Sequence, residues 1–191
     1  MRESLVAWAG DCMVQGRVEL GAGRISDQVN EVEVVTFYDA ILCAIEDGHE
    51  VSMPEVEVER RELHVIEVDG HRGDPVRRKR TVEEPVHLEV GPFLVQGFIH
   101  RSPTGMPLAA LSHWATFVPV TEARIAFRDG HAEPLLREVV LVNRERISKT
   151  EPLAAIPIFT DGESELLGDV PAAATTLPPE AVPPPPPPSP A

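Results

Sequence analysis

Apolar and polar residues alternate through Ser4 to Ala9 and again through Cys12 to Leu20, with Gly10-Asp11 between the two runs. Neighbouring side chains on a strand point to opposite faces, so a period of two broken by a Gly-Asp pair predicts a hairpin with one wet face. Gly21-Ala22-Gly23 then interrupts the alternation. Ser26 is placed to cap a short helical turn through Asp27-Gln28-Val29-Asn30. Val34 to Glu46 is rich in β-branched and aromatic residues and ends at Asp47-Gly48. Asp-Gly between apolar runs is a hairpin signal because both residues tolerate positive φ. Val56 to Val68 supplies the last strand of this half.

The same pattern then returns. Cys12-Met13-Val14-Gln15-Gly16 reappears as Phe93-Leu94-Val95-Gln96-Gly97, with Leu5, Ala7 and Ala9 falling on Val86, Leu88 and Val90 and Gly10 on Gly91. Further on, Val29 meets Leu111, Asn30 meets Ser112, and Asp47-Gly48-His49 meets Asp129-Gly130-His131. Pro107 stands where a helical turn through Leu108-Ala109-Ala110-Leu111 would start. Thr116 to Arg128 matches Val34 to Glu46, and Val139 to Ile147 supplies the closing strand. A period this long points to duplicated domains rather than a solenoid. The expected fold is all-β with one short helical turn per repeat. Two tandem five-stranded barrels of SH3-like or Sm-like type would pack on each other, because closure removes exposed edges and each repeat is near the lower size limit for its own core. One continuous sheet or sandwich shared between the copies is the alternative. The expected boundaries are 4-68 for the first repeat, 69-84 for a hairpin or linker, 85-150 for the second repeat and 151-191 for a disordered tail.

Composition changes this picture mainly at the end of the chain. The net charge is -14 over 191 residues. Residues 151-191 contain Glu151, Asp161, Glu163, Glu165, Asp169 and Glu180 but no Lys or Arg. A net negative surface disfavours broad binding to nucleic acid or anionic lipid. The amino terminus lacks an apolar stretch long enough for a signal peptide or a membrane span, so a cytoplasmic location without membrane attachment is expected. Cys12 and Cys43 have the apolar counterparts Phe93 and Ile125, which suggests reduced cysteines in the core.

The stretch Arg24-Ile25-Ser26-Asp27-Gln28-Val29-Asn30, set between Val-Gln-Gly and a strand containing Phe37 and followed later by Arg60-Arg61-Glu62-Leu63, resembles a short bacterial β-rich family of unknown function. The resemblance implies a fold and a bacterial source, and no activity. The second copy has Met106-Pro107-Leu108-Ala109-Ala110-Leu111-Ser112 in its place. A role carried by Arg24 or Asp27 would therefore exist once in the chain.

Candidate chemistry is sparse. His49, His71 and His131 each follow Asp-Gly, which places them where a returning strand begins. Zinc would need three or four converging ligands, and catalysis a base within reach of a nucleophile; the spacing shows neither. Glu55, Glu57 and Glu59 alternate with Val56 and Val58 and predict one solvated strand face. Neither a catalytic residue nor a metal ligand nor a cofactor is assigned. Arg77-Arg78-Lys79-Arg80 is a basic cluster suited to an acidic partner, the chain's own tail included. Pro171 to Ala191, with the unbroken run Pro183 to Pro188, reads as an extended polyproline spacer. Ile158, Phe159, Leu166 and Leu167 punctuate the acidic stretch before it as apolar docking residues.

The reading that fits best is a non-catalytic protein-interaction or regulatory module, with Arg24, Asp27, Arg77, Arg78, Lys79, Arg80, Ile158, Phe159, Leu166 and Leu167 as partner-binding residues. Its partner would be another protein or a second copy of the chain. A single-stranded nucleic-acid binder of Sm-like character and a metal-binding or enzymatic domain using His and Glu are the alternatives. What recurs between the copies is glycine, turns and apolar strand positions; what differs is the polar content.

Overall fold

A computed structural model describes residues 2–19, 21, 24–68, 80–112, 115–130 and 132–152. The first half runs β1 (Arg2–Trp8), β2 (Cys12–Glu19), α1 (Ile25–Glu31), β3 (Val34–Ala44), β4 (Glu50–Glu59), a 3-10 turn at Arg60–Glu62 and β5 (Val65–Glu67). The second runs β6 (Val82–Val90), β7 (Phe93–Arg101), α2 (Ala109–Ser112), β8 (Phe117–Phe127), β9 (Leu135–Asn143), a 3-10 turn at Arg144–Arg146 and β10 (Ile147–Pro152). The stretch expected as one closing strand in each half is thus two strands separated by a 3-10 turn. β6 begins at Val82, inside the range expected as linker.

All ten strands form one antiparallel sheet in the order β10-β6-β7-β8-β9-β5-β1-β2-β3-β4, and it does not close. The halves have the same internal order, β5-β1-β2-β3-β4 and β10-β6-β7-β8-β9. The expected pair of separately closed barrels is therefore corrected to a single open sheet. The reason lies in β5. A five-stranded barrel would close by pairing its fifth strand with its fourth, but the outer edge of β5 is taken by β9 of the other half, with Val65 opposite Val142, Ile66 opposite Leu141 and Glu67 opposite Val140.

That joint divides the interior in two. Alternate residues of a strand face opposite sides, and here both sides are covered. Ile66 and Leu141 join the first core, with Leu5, Ala7, Val14, Val29, Phe37 and Phe117. Val65, Val140 and Val142 join the second, with Val86, Leu88, Phe93, Val95 and Ile125. Each half therefore lends residues to the core of the other.

The recurring Val-Gln-Gly triplet marks a bulge. The β2–β3 register shifts between Gln15 and Arg17, and the β7–β8 register between Gln96 and Phe98. The partner strands answer with Asp39 and Glu122, both at φ 50. A Cβ on Gly97 would stand 2.7 Å from the Thr121 carbonyl oxygen, and one on Gly16 would stand 3.0 Å from that of Tyr38. Glycine recurs there because the facing backbone leaves no room for a side chain, and such bulges strengthen the local twist that lets a sheet bend over its own core. The Asp-Gly turns also form as expected: Gly48 and Gly130 adopt φ 71 and 70, and Asp47 Oδ1 accepts from His49 N at 2.9 Å.

Two local expectations change. Arg24, not Ser26, occupies the N-cap of α1, and no side chain caps it. Cys12 and Cys43 are free but half-buried rather than in the core, because both lie at the strand ends next to the Asp11 and Asp47 turns. Burial, and then the negative charge of Asp11, push the Cys12 thiol up from its ordinary value, so it stays protonated near neutrality.

Candidate functional site

Several polar side chains that were not singled out in the sequence as site residues are used inside the fold. Asn30, at the end of α1, accepts from Phe117 N at 2.7 Å and donates to Phe117 O at 3.1 Å, so one amide satisfies both backbone groups of a residue in the other half. The carbonyl of Asn30 in turn accepts from Arg60. Asn143, fully buried, donates to the Leu63 carbonyl at 2.8 Å. Arg146 donates to the Arg61 carbonyl at 2.6 Å and to Glu62 at 3.1 Å. Glu67 on β5 takes Trp8 Nε1 at 3.0 Å with one oxygen and Arg137 Nε at 2.6 Å with the other. A carboxylate held by an indole and a guanidinium fixes strand spacing on both sides of the joint.

Near the joint, His64 is buried beside the Phe93 ring, 6.1 Å between centroids. Its ring sits against the turn between β6 and β7, where a Cβ on Gly91 would meet His64 Nε2 at 2.7 Å. Burial first, and the Arg146 charge second, lower its pKa below 6.5; the Ala9 carbonyl, Glu62 and Asp11 pull the other way with less effect. His64 was not visible as special in the sequence, since it follows no Asp-Gly pair and its position in the second half is Ser148. Trp8, Phe93 and Phe127 pack edge to face around the same place, with Trp8 centroids 5.8 and 5.9 Å from the two phenyl rings.

Among the described residues each half has a cleft between its helix and the start of its third strand. The first, about 230 Å³, is lined by Val18, Glu19, Gln28, Val32, Val34, Thr36 and Tyr38 among others. The second, about 240 Å³, is lined by His100, Arg101, Ser102, Gly105, Ala109, Phe117 and Pro119 among others. The two occupy the same place in the two strand orders, and their walls differ: Glu19 in the first stands where His100 stands in the second. Arg101 is engaged by the loop beside it. It pairs with Glu84 at 3.4 Å and donates to the Gly105 carbonyl at 3.0 Å. Glu84 also accepts from Leu108 N at 2.9 and 3.1 Å, which holds Leu108 at φ 57. His100 Nε2 lies 2.9 Å from Thr121 Oγ1. That pair sets a hydroxyl beside an imidazole, but Thr121 does not line the cleft; among the described residues no three His, Cys, Asp or Glu side chains converge on a point that could hold a metal.

Of the expected partner-binding residues, Arg24 and Asp27 are exposed on the first turn of α1 and line neither cleft. Asp27 takes only a long bond from Ser26, 3.5 Å. Arg80 is exposed just ahead of β6. Arg77, Arg78, Lys79, Ile158, Phe159, Leu166 and Leu167 lie outside the described residues. His49 is exposed, while His71 and His131 fall outside the described set. Glu55, Glu57 and Glu59 are exposed together on β4, as their alternation predicts.

What the sequence left unmarked are the two ends of the sheet. β4 pairs with β3 alone and β10 with β6 alone among the described strands. Val32, Val34, Ile41, Val51 and Met53, most of the large exposed apolar side chains, lie along β3, β4 and the approach to them. Fold and surface together define an all-β protein built on one open antiparallel sheet. No family model, curated protein or solved structure matches the chain. No helix among the described residues is long and apolar enough to cross a membrane.

Proposed function

We propose that this chain is a non-catalytic interaction module that offers the ends of its sheet to a protein partner, with residues 153–191, beyond β10, as a tether. The observation that supports it most is the contrast between interior and edge. Asn30, Asn143, Glu67, Glu84, Arg101 and Arg137 are spent on holding the halves and their loops together. The β3–β4 end instead leaves apolar side chains beside a row of exposed glutamates. An edge strand presents a row of unpaired peptide groups to which an added strand can bond, and alternate side chains give that contact its specificity. The curling of each half toward a small barrel, with the closing position lent to a neighbour, is part of the same reading; the two separate cores support it.

The test compares proteins captured from the source cells by the wild-type chain with those captured by Val51→Glu and Met53→Glu variants at exposed positions. The reading expects a defined protein retained by the first and lost from the variants. Equal capture by all three would overturn the edge as the working surface. Turnover of a defined substrate, abolished by changing one polar cluster, would overturn the non-catalytic reading.

A further inference from the structure

The joint inside the chain is a template for a contact outside it. β5 lies on β1 with Ala7 opposite Ile66 and Trp8 opposite Val65, and β10 lies on β6 with Leu88 opposite Thr150 and Glu89 opposite Lys149. Ala7 matches Leu88 in the repeat, so β10 stands where β5 stands. Likewise Val58 faces Val35 as Val142 faces Val118, so β4 stands where β9 stands. Inside the chain these two positions are bonded to each other. Among the described strands the same two positions are left over at the ends of the sheet, one on each end.

We propose that the molecule associates head to tail with further copies of itself, β10 of one pairing antiparallel with β4 of the next in the register that β5 and β9 use within the chain. The proposal rests on the interaction-module reading above and commits the edges to one partner, a second copy. The register sets Lys149 opposite Val58, Thr150 opposite Glu57 and Glu151 opposite Val56. Both sides carry unspent apolar surface in the matching places. The strand pairings shift the match of β3 with β8 by one residue from that expected from sequence, so Val34 corresponds to Phe117 rather than Thr116, and Cys43 to Ala126 rather than Ile125. Phe117 enters the first core with Val29 in the inner joint, whereas Val34 is 42% exposed. Val29 is 1% exposed because the other half covers it, whereas its counterpart Leu111 on α2 is only half-buried. Val34 of the next molecule would fill that place. Charge adds little to the contact, because Arg146 is already paired with Glu62, Lys149 with Glu151 and Glu89, and Glu59 with Arg61 inside one chain.

The outer contact is weaker than the inner one for a visible reason. Where the inner joint sets Ile66 on Leu141, the outer one sets Thr150 on Glu57, and where it sets Val65 on Val142, the outer sets Lys149 on Val58. Backbone pairing remains while apolar burial falls, so the association is reversible. A heterologous contact of this kind gives a ring if the rotation per molecule closes and a filament if it does not.

The test is sedimentation velocity on the purified full chain over a wide concentration range. The expected result is a weight-average mass that climbs with concentration above the 20.9 kDa of one chain. Val34→Glu should hold the mass near that of one chain, whereas Val34→Phe with Glu57→Leu, which restores the inner-joint residues, should shift assembly to roughly tenfold lower concentration or further, by analogy with the gain from burying one large apolar side chain. Both variants are judged for folding by their melting curves. A single-chain mass at every wild-type concentration, or assembly indifferent to Val34→Glu in a folded variant, overturns the proposal. Because this sample contains no other protein, a monomeric result leaves capture of a different partner as a separate outcome, which the cell experiment reads.

Discussion

Asn30 and Phe117 stand in different halves of the chain, and the side-chain amide of the first satisfies both backbone groups of the second. Phe117 is 1% exposed, so neither group has water to fall back on. Removing one partner leaves a buried donor and acceptor unmet, which costs about 1–3 kcal/mol per group. Asn30→Ala should therefore lower unfolding free energy by a few kcal/mol, read by urea denaturation. Asn30→Asp keeps the acceptor but turns a carboxylate oxygen toward the Phe117 and Ser26 carbonyls, so near neutral pH it should cost at least as much as the alanine.

His64 predicts a pH dependence. Its folded pKa lies below 6.5 because burial and Arg146 disfavour the charged ring. Between the lowered folded value and 6.5 the unfolded chain binds more protons than the folded one, so stability falls as pH drops through that window and is unaffected by this group above it. The melting temperature of the wild type should fall more steeply between about pH 7 and 5 than that of His64→Gln. Parallel pH profiles would contradict the assignment.

Glycines of the two bulges should differ. Gly97→Ala places a Cβ 2.7 Å from a backbone oxygen and a Val120 methyl, whereas Gly16→Ala meets Tyr38 O at 3.0 Å and can relieve part of the strain. Overpacking of this kind costs about 1–3 kcal/mol, and the larger loss is expected at Gly97. Gly48→Ala has open space around it and carries only the cost of positive φ, about 1–2 kcal/mol. Thermal denaturation of the three variants checks the order.

Glu67 links Trp8 to Arg137 across the joint. Glu67→Ala would strand the guanidinium and the indole N–H, so a loss of about 2–4 kcal/mol is expected, with a change in tryptophan emission as Trp8 is released. Unchanged emission and stability would show that the bridge does not hold the joint.

Strand and turn positions were legible because their signals are local. Alternation marked β1 and β2, and Asp-Gly marked the turns at Gly48 and Gly130, whereas Val-Gln-Gly stood out only as a recurring triplet and the bulge at Gly16 and Gly97 came from the strand pairing. The join between the halves was not legible, because pairing of Ile66 with Leu141 leaves no trace in the spacing of either segment. Closure of each half was expected from the liability of free edges, yet the edge of β5 is protected by β9 instead, which satisfies the same physics in another way. Asn30 stood in the Arg24 to Asn30 motif without a role, since its partner, Phe117, is distant in sequence. The exposed ends escaped notice for a related reason: Val34 and Val51 read as ordinary strand residues until the sheet order places β4 at an end with no described strand beyond it.

Hydrogen–deuterium exchange on the full chain, at low and high protein concentration, tests the central claim most directly. A single sheet joined at β5 and β9 and extended through its ends predicts slow exchange in Val65–Glu67 and Val140–Val142 at both concentrations, with β4 and β10 gaining protection only at the high one. Rapid exchange at β5 and β9, or edge strands that exchange alike at both concentrations, would contradict it.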